Sequence, residues 1–176
     1  MARRVVAVEL DPHLAQRLRG RWPNVRVVLG DAATAPLPRA PFRVVANLPF
    51  AGTNAILRHL LGDPSVPLVR ADVIVEWGVA VKRALPWPST ASGVIWSARY
   101  RFSLERRLSR GAFVPAPNAD AGLLVVERRA QPLVPEERLR DYARFVARSF
   151  RHGLPGRRQA RALDAHEWAE LFAKRR

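Results

Sequence analysis

One short stretch has residue types and spacing suited to a specific chemistry: Asn47-Leu48-Pro49-Phe50, set between the β-branched run "RVVA" and an apolar helical pattern. The Asn47 side-chain carbonyl and the Leu48 backbone carbonyl can both accept hydrogens from an exocyclic amine such as that of adenine. That amine is a poor nucleophile, because its lone pair is delocalised into the ring. Two acceptors would draw the nitrogen toward tetrahedral geometry and aim the lone pair at a methyl donor. Pro49 has no N–H and a fixed φ, which keeps the loop open and rigid. Phe50 offers a face on which an extruded base can stack, at roughly 1–3 kcal/mol per base. A sulfonium methyl donor is already activated, so the work is mainly positioning and no general base is required. The alternative for the same four residues is a β–α loop with an Asn turn and a packed ring.

Two further residues fall where an open parallel sheet binds ligands, at the carboxyl ends of strands. Glu9 ends "RVVAVEL", a position from which an acid accepts hydrogen bonds from ribose hydroxyls. Asp31, in the "GDA" turn, can take the exocyclic amine of an adenine while the Ala32 N–H serves a ring nitrogen. The structural alternatives are that Glu9 and Asp11 cap the next helix and that Asp31 closes a turn.

The elements that must position these residues read as an α/β layer. The run 4–10 is expected to be a strand buried on both faces. Residues 11–20 form a helix with Asp11 as N-cap, Pro12 at its first position, Leu14 and Leu18 on one face, and Gly20 as stop. Strands follow at 24–32, 42–50 and 71–77, with a helix over 52–61 that buries Ile56, Leu57, Leu60 and Leu61. From about residue 99 two strands joined by a Pro-rich turn predict an antiparallel pair on the sheet edge. Beyond "AQPLVPEE" the pattern is helical. Pro135 is expected at the first helical position, with Glu136 and Glu137 behind it. Leu139, Tyr142, Ala143, Val146 and Phe150 form a stripe that stops at Gly153. Asp164 and Glu167 have capping-box spacing ahead of Trp168, Leu171 and Phe172. A boundary near residue 130 divides a core, 1–129, from a helical appendage, 130–176.

With 176 residues and 48% apolar composition the chain can bury a real core. No apolar run is long enough to span a membrane, and "MARRVVAVELDP" is a poor secretory signal. There is no cysteine, so a cytoplasmic location is expected. Thirty Lys+Arg against fifteen Asp+Glu, net +15, point to a polyanionic partner, most simply nucleic acid. Codon bias accounts for a preference for Arg over Lys but not for the surplus over acids. The surplus concentrates at 99–110 and in the C-terminal third. His13, His59, His152 and His166 lack metal-ligand spacing, so no metal is expected. Trp77, Trp96 and Trp168 read as packing, while Trp87 in "LPWPST" sits in a loop.

The segments "VVAVELDPHL", "VLGDA", "VVANLPF" and "FVPAPNADAGLLVVERR" resemble the ribosomal-RNA adenine N6-methyltransferases. That family comprises the small-subunit adenine dimethylases and the erythromycin-resistance (Erm) enzymes of the large-subunit RNA. "EWGVAVKRALPWP", the aromatic-basic "RYRFSLERRLSR" and the late "LDAHEWAELF" are closer to the Erm branch. The resemblance spans nearly the whole chain. It implies a Rossmann-like methyltransferase fold using S-adenosylmethionine and no metal, with the cofactor held by Glu9, Leu10, Asp31, Ala32 and Asn47. Asn47, Leu48 and Phe50 then form the methyl-transfer centre. The implied substrate is one adenine of 23S rRNA, whose methylation blocks macrolide, lincosamide and streptogramin B, and a monomer is the default state. The strand at 99–110 and the helical appendage would grip RNA backbone.

The same resemblance implies a further strand and a glycine-rich turn for the methionine part of the cofactor. Here the early glycines are Gly20 and Gly30, without a G-x-G-x-x-G pattern. The further strand belongs between those at 4–10 and 42–46, so open strand edges are expected there. Two other readings compete. One is an RNA-binding relic or fragment without catalysis. The other is a DNA adenine methyltransferase, disfavoured because Leu48 stands where those enzymes usually have proline.

Overall fold

The computed structural model describes residues 4–154 and 160–175. Its strands are β1 (Val5–Glu9), β2 (Val25–Leu29), β3 (Phe42–Asn47), β4 (Leu68–Glu76), β5 (Tyr100–Leu108) and β6 (Ala121–Arg128). Its helices are α1 (Pro12–Leu18), α2 (Thr53–Leu61), α3 (Trp77–Ala84), α4 (Ala91–Ser97), α5 (Leu139–His152) and α6 (Ala165–Ala173).

The strands form two sheets. β1 and β2 pair in parallel, from Val5 opposite Val25 to Glu9 opposite Leu29. The second sheet has the order β3-β4-β6-β5. Within it β3 and β4 are parallel, and β6 runs antiparallel to both β4 and β5. The predicted antiparallel edge pair is therefore present, with β5 outermost. β1 and β3, between which the resemblance implies a further strand, are not paired with each other. The link between the sheets is the segment after β2. Ala32, Ala33 and Leu37 pack on the main core, and the His59 ring of α2 lies 2.7 Å from the Ala35 carbonyl.

Several expectations change in the structure. β1 is not buried on both faces. Its exposure alternates, leaving Val6 and Val8 43% and 36% exposed, because α1 packs against the β1–β2 pair and the described residues leave the Val6–Val8 face open. Leu14 is exposed too, and the residue α1 buries is Ala15. The third strand stops at Asn47, so residues 48–52 are loop rather than strand. Pro135 precedes a short 3-10 turn at Glu136–Arg138, and α5 starts only at Leu139. α3 and α4, with the Trp87 loop between them, occupy a region for which no helix was expected. Its Gly, Val and Trp residues and the "PWP" turn are weak helix formers, and tertiary packing outweighs them.

The main core centres on Leu57, Leu61, Leu68, Val73, Val75, Leu124 and Val126. A second cluster joins Val94 of α4 and Ala98 at its C-cap to Tyr142, Val146, Trp168 and Phe172. Trp168 is fully buried, edge-on to Phe145 at 5.8 Å and stacked on Phe150 at 5.6 Å. α6 begins in the capping box read from the sequence: Asp164 accepts from the His166 and Glu167 N–H groups, and Glu167 from Asp164 N–H. Among the described residues no helix is long and apolar enough to cross a membrane.

Candidate active site

Parallel pairing brings the predicted residues to matching strand ends. Glu9 closes β1 and Asp31 lies two residues beyond β2, its in-register neighbour. Asn47 closes β3 opposite Ile74 of β4. Glu9 Oε1 accepts from the Asp11 N–H at 2.9 Å, and Asp11 Oδ1 in turn caps α1 through the N–H groups of His13 and Leu14. Asp31 Oδ1 accepts from Ala33 N–H at 2.8 Å, and its backbone carbonyl from the N–H groups of Thr34 and Ala35. Both carboxylates thus serve the turns they stand in, and each keeps a second oxygen on a partly or fully exposed residue. Leu10 is exposed beside Glu9.

The loop after β3 is fixed at both ends. Leu48 donates its N–H to the Ile74 carbonyl at 2.9 Å, and its side chain is buried in the main core. What Leu48 can offer a ligand is therefore its backbone. The Pro49 carbonyl accepts from Gly52 N–H at 3.0 Å and from the Thr53 hydroxyl at 3.0 Å. A Cβ on Gly52 would sit 3.2 Å from Pro49 Cγ, a close approach in a tight return. Asn47 is exposed on this frame and Phe50 half-buried. An amide acceptor and an aromatic face thus flank a rigid backbone.

The sequence reading missed the most unusual charge near this loop. Arg83, at the end of α3, donates to Asn54 Oδ1 at 3.2 Å, four residues past Phe50. It also reaches the hydroxyls of Thr90 and Ser92 at 3.2 and 3.3 Å, and it lies over the Trp96 ring at 4.8 Å. Among the described residues no carboxylate pairs with it. Burial pushes its pKa below the ordinary value, and the neighbouring Arg58 of α2 pushes it the same way. A half-buried guanidinium with neutral acceptors and a like charge for company is a ready anion receptor. Nothing in a chain with 28 arginines marks this one out before α3 and α4 are folded.

A second basic group stands at the same end of the sheet. Asp120 accepts from Arg110 N–H at 2.9 Å and from Arg107, which bridges it at 2.7 Å and stacks over Trp77 at 4.9 Å. The Arg110 N–H first, then the Arg107 guanidinium, hold the Asp120 carboxyl below the usual carboxylate range.

A fit for S-adenosylmethionine can be judged on these acceptors. The second carboxylate oxygens of Glu9 and Asp31, beyond the ends of neighbouring parallel strands, can accept from the hydroxyls of a ribose and the amine of an adenine. Such an acceptor pair would suit the nucleoside half of the molecule.

The model of the ribosomal RNA adenine dimethylase family matches residues 1–153. An rRNA adenine N-6-methyltransferase of Corynebacterium diphtheriae is 36% identical over 152 residues, 85% of this chain and 59% of that protein. The mycinamicin-resistance protein MyrB of Micromonospora griseorubida is 35% identical over 194 aligned positions, 96% of this chain and 62% of that protein. The crystal structure of the 23S rRNA methyltransferase ErmE superposes with a TM-score of 0.82 at 26% identity, covering 98% of this chain and 82% of that one. The chain spans 59% and 62% of the length of these two relatives. With the family model matching residues 1–153 and relatives at 35–36% identity, the chain belongs to the ribosomal RNA adenine dimethylase family.

Proposed function

We propose that this protein transfers a methyl group from S-adenosylmethionine to N6 of an adenine in 23S rRNA, conferring resistance to macrolides, lincosamides and streptogramin B. The observation that carries the reading is the loop of Asn47-Leu48-Pro49-Phe50. An exposed amide and a core-anchored backbone carbonyl stand beside a half-exposed ring, on a turn closed by Gly52 and Thr53. When bound, the cofactor supplies an electrophilic methyl on a sulfonium. Glu9 and Leu10 would hold its ribose side, and Asp31 and Ala32 its adenine. Asn47 and the Leu48 carbonyl accept the two hydrogens of the target amine and orient its lone pair. Phe50 stacks the extruded base, and Arg83 with Arg58 neutralises phosphate beside it. The protein acts in the cytoplasm as a monomer, with no metal.

The test is Asn47→Ala, with labelled methyl counted on a 23S rRNA fragment. Transfer should fall about a hundredfold, while RNA affinity stays within about twofold. Unchanged transfer would refute the assignment. A second reading, an RNA-binding protein that transfers nothing, draws on the division of the sheet between β1 and β3. It predicts that the unsubstituted chain binds the RNA and leaves it unlabelled.

A further inference from the structure

At the far end of the four-stranded sheet from Asn47, strand register lines up four charged residues. Arg43 of β3 stands opposite Arg70 of β4, Arg70 opposite Glu127 of β6, and Glu127 opposite Arg101 of β5. Directly paired residues share a face, so the four side chains leave the same side. With Arg128 and Arg129 they line a cleft of about 360 Å³. Acids answer only part of this charge. Arg70 is bound by Asp72 and Glu127, and Arg128 by Glu136. Arg129 donates to the Ser97 carbonyl instead. Arg43 and Arg101 are exposed and make no salt bridge among the described residues, although the Arg43 charge helps Arg70 to hold the Asp72 carboxyl down. Arg43 opposite Arg70 is a like-charge pair, unfavourable by itself, while Glu127 stands opposite both Arg70 and Arg101.

The spacing says what kind of anion fits. Arg43 and Arg101 are separated by three strand intervals, about 14 Å at ~4.8 Å each. A row of that length lets each arginine take its own phosphate of one chain. Arg43 and Asn47 lie on one face of β3, four residues apart, or about 13 Å. That span is covered by a few nucleotides of a single strand.

We propose that the Arg43–Arg101 row is a second backbone-binding site for the RNA, gripping phosphates a few nucleotides from the adenine held at Asn47. The proposal rests on the RNA reading of the Asn47 loop. The row reads no sequence; it adds affinity and fixes the direction in which the strand leaves the reaction centre.

The test uses the 176-residue chain and a labelled 23S rRNA fragment, with binding measured over a series of salt concentrations. Arg43→Gln with Arg101→Gln should weaken binding roughly tenfold at low salt. The slope of log affinity against log salt should fall by about two. Arg17→Gln with Arg19→Gln, on exposed positions at and just beyond the end of α1, removes the same charge elsewhere and should change binding little. Circular dichroism melts check that both variants are folded. An unchanged slope in the first variant, or an equal fall in the second, overturns the proposal. Binding is read without methyl transfer, so the two ideas separate. A chain that binds through the row but labels no RNA removes only the enzymatic reading. A chain that labels RNA with an unaltered slope in the variant removes only the row.

Discussion

Gly122 lies in β6, between β4 and β5, and an added Cβ there would stand 2.7 Å from Ala80 Cβ on α3. Leu104 Cδ1 would be 3.0 Å away and Trp77 Cε3 3.3 Å. Carbon atoms settle at about 3.5–4.0 Å, so Ala80 must retreat by about 1 Å. The Leu104 terminus can rotate aside, but β6 is held by ladders on both edges and cannot move. The displacement therefore falls on α3. Overpacking of this size costs about 1–3 kcal/mol, which lowers the melting midpoint of a chain this long by roughly 4–8 °C for a cost of ~2 kcal/mol. Because α3 carries Arg83, the shift also lengthens its 3.2 Å bond to Asn54, so RNA affinity should drop with stability. Gly122→Ala, Ala80→Gly and the double variant would be melted by circular dichroism and assayed for RNA binding. Ala80→Gly alone costs about 1 kcal/mol of helix propensity, yet it removes the clashing atom. The double variant should therefore be more stable than the sum of the two losses predicts. A midpoint for Gly122→Ala within 1 °C of the parent, or strict additivity in the cycle, would refute this account of α3 docking.

Two other outcomes follow from the electrostatics. Arg83→Met should lower the salt slope of RNA binding by about one without lowering the melting midpoint, because no carboxylate is left unpaired; a clear loss of stability would show the guanidinium to be structural. Asp63, Asp72 and Asp120 are held below the usual carboxylate range, chiefly by the Ser65 N–H, the Arg70 guanidinium and the Arg110 N–H respectively. The unfolded chain then binds more protons than the folded one below about pH 4. Urea midpoints should be level from neutral pH to about pH 5 and fall as the folded pKa values are crossed. A midpoint that holds or rises between pH 5 and pH 3 would contradict these contacts.

Two helix start signals were legible because they are local, whereas Pro135 marked a 3-10 turn and not the start of α5. Asp11-Pro12 and the Asp164–Glu167 box are satisfied within three residues of sequence, and their bonds form as read. The alternation of strands and helices up to β4 was legible for the same reason. α3 and α4 were not, since their helical state depends on burying Ala80, Val94 and Trp96 against elements distant in sequence. Exposure on β1 was also hidden: an apolar run states that a strand suits burial, not how many of its faces find a partner. At the candidate site, Asn47 and Phe50 could be chosen from type and spacing. Arg83 could not, because its distinction is what it lacks, and a lack of acids shows only in three dimensions. The Arg43–Arg101 row needs the register of four strands, which no local pattern encodes.

The net charge of +15 gains meaning from where the acids are spent. Glu9, Asp11, Asp31, Asp63, Asp164 and Glu167 accept backbone N–H groups at caps and turns. Asp72, Glu127, Asp120, Glu136 and Asp141 each pair an arginine close by. Among the described residues none of Arg43, Arg58, Arg83 and Arg101 makes a salt bridge. The surplus is thus not a uniform coat. It gathers beside the start of α2, next to the Asn47 loop, and across the amino-terminal end of the four-stranded sheet. An isolated phosphate would need one such place. An RNA strand whose base is held at Asn47 must also have its backbone restrained on leaving, and two separated cationic surfaces meet that requirement without contact to any other base.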